Sequence, residues 1–152
     1  MRRYLRPVCL LTALLWATIP IAADSLLEGD IQGLELCPQS FCGAAIFVGE
    51  FDGHVNGFPR HGAFLAGITH DPELPDENGE MIGITGGAWI IHVPFRTIRG
   101  VVTAGILTSN GDNTFTVDMG LLVTSPSSWG AKTFHGTLRH DVFPPTIEGA
   151  ID

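Results

Sequence analysis

Glu50-Phe51-Asp52-Gly53-His54 is the segment of this chain whose residue types and spacing come nearest to chemistry. In an extended strand, residues two apart share a face, so Glu50, Asp52 and His54 project from one side, following Ile46 and Val48. Carboxylates beside an imidazole serve general acid–base catalysis or hold a metal ion. His135, Thr137, Arg139 and Asp141 make a comparable row further along the chain. The plainer alternative is a strand that leaves the core and enters solvent at Asp52-Gly53, as polar strand ends ordinarily do.

A second cluster reads His-Asp-Pro-Glu-Leu-Pro-Asp-Glu-Asn-Gly-Glu from His70 to Glu80. Asp71, Glu73, Asp76, Asn78 and Glu80 are hard oxygen donors of the kind calcium gathers. The alternating ligand order of a calcium loop is missing, and a solvated excursion between strands accounts for the same composition.

The other reactive types lead to less. The six histidines (His54, His61, His70, His92, His135 and His140) show no helical zinc spacing. His135 and His140 fall on opposite faces of an ideal strand. A Gly-x-Ser-x-Gly nucleophile elbow is absent from the sequence. Gly83-Ile84-Thr85-Gly86-Gly87 lacks the lysine and following helix of a phosphate loop, and reads as a turn or bulge. No cofactor is expected.

These groups must be positioned by strands. Phe115, Val117, Met119, Leu121 and Val123 alternate with Thr114, Thr116, Asp118, Gly120 and Leu122. Phe134, Gly136 and Leu138 alternate with Thr133, His135, Thr137 and Arg139. Such alternation marks strands with one buried face. Further strands are predicted over Ile31 to Leu36, Ala44 to Asp52, Gly62 to Thr69, Met81 to Thr85, Ala88 to Val93, Ile98 to Leu107 and Thr146 to Ile151. Asn110-Gly111 is a hairpin turn signal, because both residues tolerate positive φ.

The fold class is therefore all-β: a single small antiparallel barrel or sandwich of about eight strands. Glycine is abundant, at 19 residues. Gly49, Gly100 and Gly136 lie inside strands, where glycine marks a bulge, a bend or a close approach of backbones. Such bends favour a barrel over a sandwich. Phe47, Gly49, Val55, Gly62 and Ala63 match Phe134, Gly136, Val142, Gly149 and Ala150 without gaps, which is either a repeated strand–loop–strand unit or coincidence in a Gly-rich chain. Ala44 to Val48 and Trp89 to Ile91 are apolar on both faces, as central strands or subunit contacts are. Oligomerisation is compatible with that pattern.

The chain opens with Arg2, Arg3 and Arg6, an apolar run from Val8 to Ile21, and the small residues Ala22 and Ala23. This is the pattern of a secretory signal peptide over residues 1–23, leaving one all-β domain over 24–152. The run is too short and interrupted for a membrane span, so stable membrane insertion is not expected after cleavage. Secretion or a periplasm follows. Without the three leader arginines, sixteen acids face five cations, a net charge of −11. That charge repels phosphate backbones and excludes nucleic acid as a partner. Cys37 and Cys42, in an oxidising compartment, are expected to form a disulfide.

The function that fits best at this level is an exported, non-catalytic β-domain that binds a small ligand or a protein surface, or is structural. The competing expectation is a hydrolase or isomerase using the Glu50–Asp52–His54 rim. A deep pocket lined by those three residues would favour the enzyme, and the same rim in solvent would favour the binding domain.

Overall fold

A computed structural model describes residues 26–152; the signal peptide expected over 1–23 lies outside them. Eight strands run β1 (Leu27–Cys37), β2 (Ala45–Val55), β3 (Phe58–His70), β4 (Met81–Val93), β5 (Arg96–Ser109), β6 (Thr114–Ser125), β7 (Ala131–Arg139) and β8 (Thr146–Ile151). Each pairs antiparallel with the next, and β8 returns to β1, which closes the barrel. Closure leaves no edge strand to recruit another chain. A one-turn helix, α1 (Gln39–Cys42), sits in the β1–β2 connection. Its Cys42 is disulfide-bonded to Cys37, the pairing expected from an oxidising compartment.

Most strands run longer than the sequence reading, with β1 starting at Leu27 and β3 at Phe58 rather than Ile31 and Gly62, and two segments differ in kind. Met81 to Thr85 and Ala88 to Val93 are one strand, β4, interrupted only by an irregularity near Gly86 and Gly87. A Cβ on Gly87 would stand 2.3 Å from the Gly67 carbonyl oxygen, so glycine lets the strand continue past a close neighbour. The strand β2 passes Asp52-Gly53 and ends at Val55. The turn there is Asn56-Gly57, both in the left-handed region at φ 54° and 74°. That conformation suits the tight hairpin joining β2 to β3.

Inward positions alternate with outward ones along every strand, but the two halves of the barrel are filled differently. The largest side chains with essentially no exposure are Phe51, Leu27, Ile31, Ile91, Ile98, Val93 and Val123. All lie in the half beneath the β2–β3 and β4–β5 turns. Trp129 plugs that base, and the Arg96 guanidinium stacks over its ring at 5.2 Å. Interior glycines admit these large rings. Gly29 and Gly53 are paired across β1 and β2, and the Phe51 ring lies where either would carry a Cβ. Phe134 occupies the same space beside Gly136 and Gly149, paired across β7 and β8. These aromatic rings over glycine pairs take up the space a closed, strongly curved barrel leaves at its corners. The gapless Phe47/Phe134 match does not carry into register: Gly49 pairs with Phe64, whereas Gly136 pairs with Gly149.

The wall faces solvent with Glu28, Asp30, Glu50, Asp52, Asp118 and Glu148 exposed. A lipid-spanning barrel has the reverse arrangement, an apolar outside and a polar lumen. Among the described residues no helix is long and apolar enough to cross a membrane. One apolar row does cross the outer wall, where Leu34, Val48, Leu65 and Ile90 are successive cross-strand partners.

Candidate functional site

The half of the barrel opposite Trp129 opens into a cavity of about 640 Å³. Ligand sites are ordinarily about 300–1,000 Å³, mostly apolar and concave. The size follows from inward residue choice. Phe51, Phe64, Phe134 and Trp89 fill the middle, leaving a void of only about 10 Å³ beside the last three. One layer higher the inward residues Ala45, Val117, Leu107 and Ile147 are smaller than these rings and line the cavity. The barrel wall therefore gives the cavity an apolar lining of aliphatic side chains and Phe47, and polar residues join it at the mouth.

Two segments shape the opening. The helix α1 brings Pro38, Gln39 and Ser40 to the cavity. The disulfide closes this β1–β2 connection on itself. The Gln39 side-chain amide then bonds the His70 backbone in both directions, donating to its carbonyl at 2.8 Å and accepting from its N–H at 2.7 Å. From the far side the acidic loop contributes Pro72, Glu73, Leu74 and Asp76. Leu74 packs against the core. Backbone bonds from Gly79 to the Ser109 carbonyl and from Ser109 to the Glu80 carbonyl tie the loop to β5.

Gln39, Ser40, His70, Glu73 and Asp76 also line the cavity, and Glu35 and His140 are the two polar side chains there that bond each other. Glu35 stands at an inward position of β1, in phase with Leu27 and Ile31, and is only 8% exposed. His140 follows directly on β7, in phase with Phe134 and Leu138. Its Nε2 lies 2.8 Å from Glu35 Oε2. A carboxylate can only accept, so the imidazole N–H donates in that state. The His140 ring is held edge-on against Phe115, 5.5 Å between centroids. Backbone bonds from His140 to the Asn113 carbonyl and from Glu35 to the Pro145 carbonyl fix the same corner. Beyond His140, Arg139 and Asp141 form a two-point ion pair at 2.7 and 3.1 Å. The guanidinium holds the Asp141 carboxyl below the usual carboxylate range, chiefly through the side-chain hydrogen bond, and Arg139 is raised in return.

The residues singled out from sequence lie elsewhere. Glu50, Asp52 and His54 do share a face, as alternation required, but it is the exposed outer wall of β2. Glu50 borders a shallow open groove with Leu34, Val48 and Leu65. His54 Nδ1 is 3.7 Å from Glu28 Oε1 on the neighbouring strand. His135 contacts Asp118 on the outer face of β6–β7. In the acidic loop, Glu80 Oε2 accepts from the backbone of Asp76 at 2.9 Å and Glu77 at 3.3 Å. Asp71 Oδ2 accepts from the Gly83 N–H at 2.9 Å. Of the calcium candidates Asp71, Glu73, Asp76, Asn78 and Glu80, only Glu73 and Asp76 reach the cavity. Among the described residues no group of three or more His, Cys, Asp or Glu side chains is placed to hold a metal ion.

No protein-family model matches this chain, and neither a curated protein nor a solved structure matches it.

Proposed function

We propose that the protein is an exported β-barrel that takes up a small, largely apolar molecule in its mouth and holds it there without transforming it. The observation that carries this reading is the cavity of about 640 Å³, apolar around its inner walls, with the buried Glu35 and its half-buried partner His140 as a polar anchor. Rigid walls and few polar groups are what ligand sites in barrel mouths consist of. The Cys37–Cys42 disulfide supports an oxidising workplace, secreted or periplasmic, and it also braces the helix at the opening.

Fluorescence of N-phenyl-1-naphthylamine, a neutral apolar dye, tests the reading directly. Saturable enhancement at one dye per chain is expected. It should be lost in Ala45→Trp, which places an indole in the mouth. Absence of saturation, or equal binding by Ala45→Trp, refutes the proposal.

A second reading draws on the same pair. A carboxylate hydrogen-bonded to an imidazole at a cavity can pass a proton, as a hydrolase or isomerase requires. Recovery of the natural ligand chemically changed after incubation with the protein, and unchanged with Glu35→Gln, would support it over simple binding.

A further inference from the structure

We propose that the mouth selects organic cations, specifically a protonated amine carried on an apolar body, with Glu35 as its counter-ion. This rests on the reading of the mouth as a ligand site. Among the described residues, the charged groups lining the cavity are Glu35, Glu73 and Asp76, with His70 and His140, and neither Lys nor Arg lines it. The nearest arginine to this corner in sequence, Arg139, is occupied by Asp141.

The charge asymmetry extends along the barrel. The described cations are Arg60, Arg96, Arg99, Lys132 and Arg139. All but Arg139 belong to the half of the barrel around Trp129, by their positions near the base ends of β3, β5 and β7. The mouth end holds Asp71, Glu73, Asp76, Glu77, Glu80 and Asp112 on its connecting loops. An acidic opening with low-dielectric walls behind it concentrates cations and repels anions. Inside, an ionised Glu35 has acceptor capacity for about four hydrogen bonds, and His140 uses one. An ammonium donor at the mouth can therefore bond Glu35 while its hydrocarbon lies against Ala45, Ile68, Leu107 and Ile147. A hydroxyl could also donate to that carboxylate, but it brings no positive charge to be attracted by Glu35, Glu73 and Asp76. A carboxylate is repelled by all three acids.

The test is competition against bound N-phenyl-1-naphthylamine at pH 7 by octylamine, 1-octanol and octanoate, which share a chain and differ in charge. Octylamine should displace the dye at least about tenfold more tightly than octanol, because only the ammonium is attracted as a charge to Glu35, with octanoate weakest. In Glu35→Gln the dye should still bind, and the amine's advantage should shrink to within about threefold. Should Glu35→Gln fail to fold, the exposed pair Glu73→Gln with Asp76→Asn substitutes for it. That variant should weaken octylamine by a factor that 1 M salt also removes, because these loop charges are open to screening. Asp30→Asn, on the outer wall, should leave the ranking unchanged. Dye binding with octanol or octanoate equal to octylamine overturns the cation preference and leaves the cavity reading standing. Failure of the dye itself to bind overturns both.

Discussion

Separating Glu35 from His140 should reveal a coupling that distant pairs in this barrel lack. The perturbation is a double-mutant cycle of Glu35→Ala, His140→Ala and the two together. The Nε2–Oε2 bond is 2.8 Å long, with the carboxylate side chain 4% exposed and the imidazole 24%. A hydrogen bond to a charged group contributes roughly 1.5–3 kcal/mol. The quarter-exposed imidazole sees solvent, which puts the coupling near the low end, about 1.5 kcal/mol. His140→Ala also removes the edge contact with Phe115, roughly 0.5–1.5 kcal/mol more, so that single change should destabilise by about 2–3 kcal/mol in total. Glu35→Ala should cost about 1.5–2 kcal/mol, since water entering the open mouth can satisfy the abandoned imidazole N–H. The double variant should then lose about 1.5 kcal/mol less than the sum of the two single losses, because each single change already removes the shared bond. Urea unfolding at pH 7, followed by circular dichroism on oxidised protein beginning at Asp24, measures all four stabilities. A common m-value would show that the unfolded ensembles are comparable. A coupling below about 0.5 kcal/mol, the scatter expected of independent sites, would refute the claim that this pair is a joined anchor.

Three further outcomes follow from the geometry. Gly49→Ala should destabilise by about 3 kcal/mol, because its Cβ would stand 2.0 Å from the Gln32 carbonyl oxygen and 2.4 Å from Gly33 Cα, all backbone. Gly67→Ala, whose Cβ would meet the tip of Ile46 at 3.3 Å and the Ala44 methyl at an ordinary 3.9 Å, should stay within about 1 kcal/mol, and thermal melts of the two compare them. Replacing Cys37 and Cys42 by Ser should lower stability by about 2 kcal/mol on the loop-entropy estimate, and should weaken dye binding as Gln39 loses its hold on His70, both read by titration. Asp141 should titrate below the ordinary carboxylate range and move back up towards it in Arg139→Gln, seen by NMR. Its folded value is depressed, so the stability it adds is present at neutral pH and is lost as pH falls through that lowered value.

The barrel was legible because alternation is a backbone property. Phe115 to Val123 and Phe134 to Leu138 alternate cleanly, and both segments are strands with those residues inward. Interior glycines pointed to bends, and Gly136 and Gly149 do meet across strands under the Phe134 ring. The site was harder to see. On β2, Ile46 and Val48 are as apolar as Ala45 and Phe47, so the face bearing Glu50, Asp52 and His54 could not be told from the core face within that segment. Phe51 and Val55, in phase with Phe47, are buried and mark the other face as inward. The same phase argument continued to polar strand ends would have found both anchors. Leu27 and Ile31 lead to Glu35, and Phe134 and Leu138 lead to His140. Their meeting depends on closure of β8 onto β1, a contact between distant parts of the chain that local pattern does not encode.

The most direct test of the ligand-site claim is a 1H–15N correlation spectrum of the protein titrated with N-phenyl-1-naphthylamine. Saturating shifts are predicted at Glu35, Gln39, Ala45, His70, Leu74, Leu107 and His140, with Glu50, Asp52 and His54 unmoved. Shifts centred on that outer rim, or none at saturating dye, would contradict a ligand site in the mouth of the barrel.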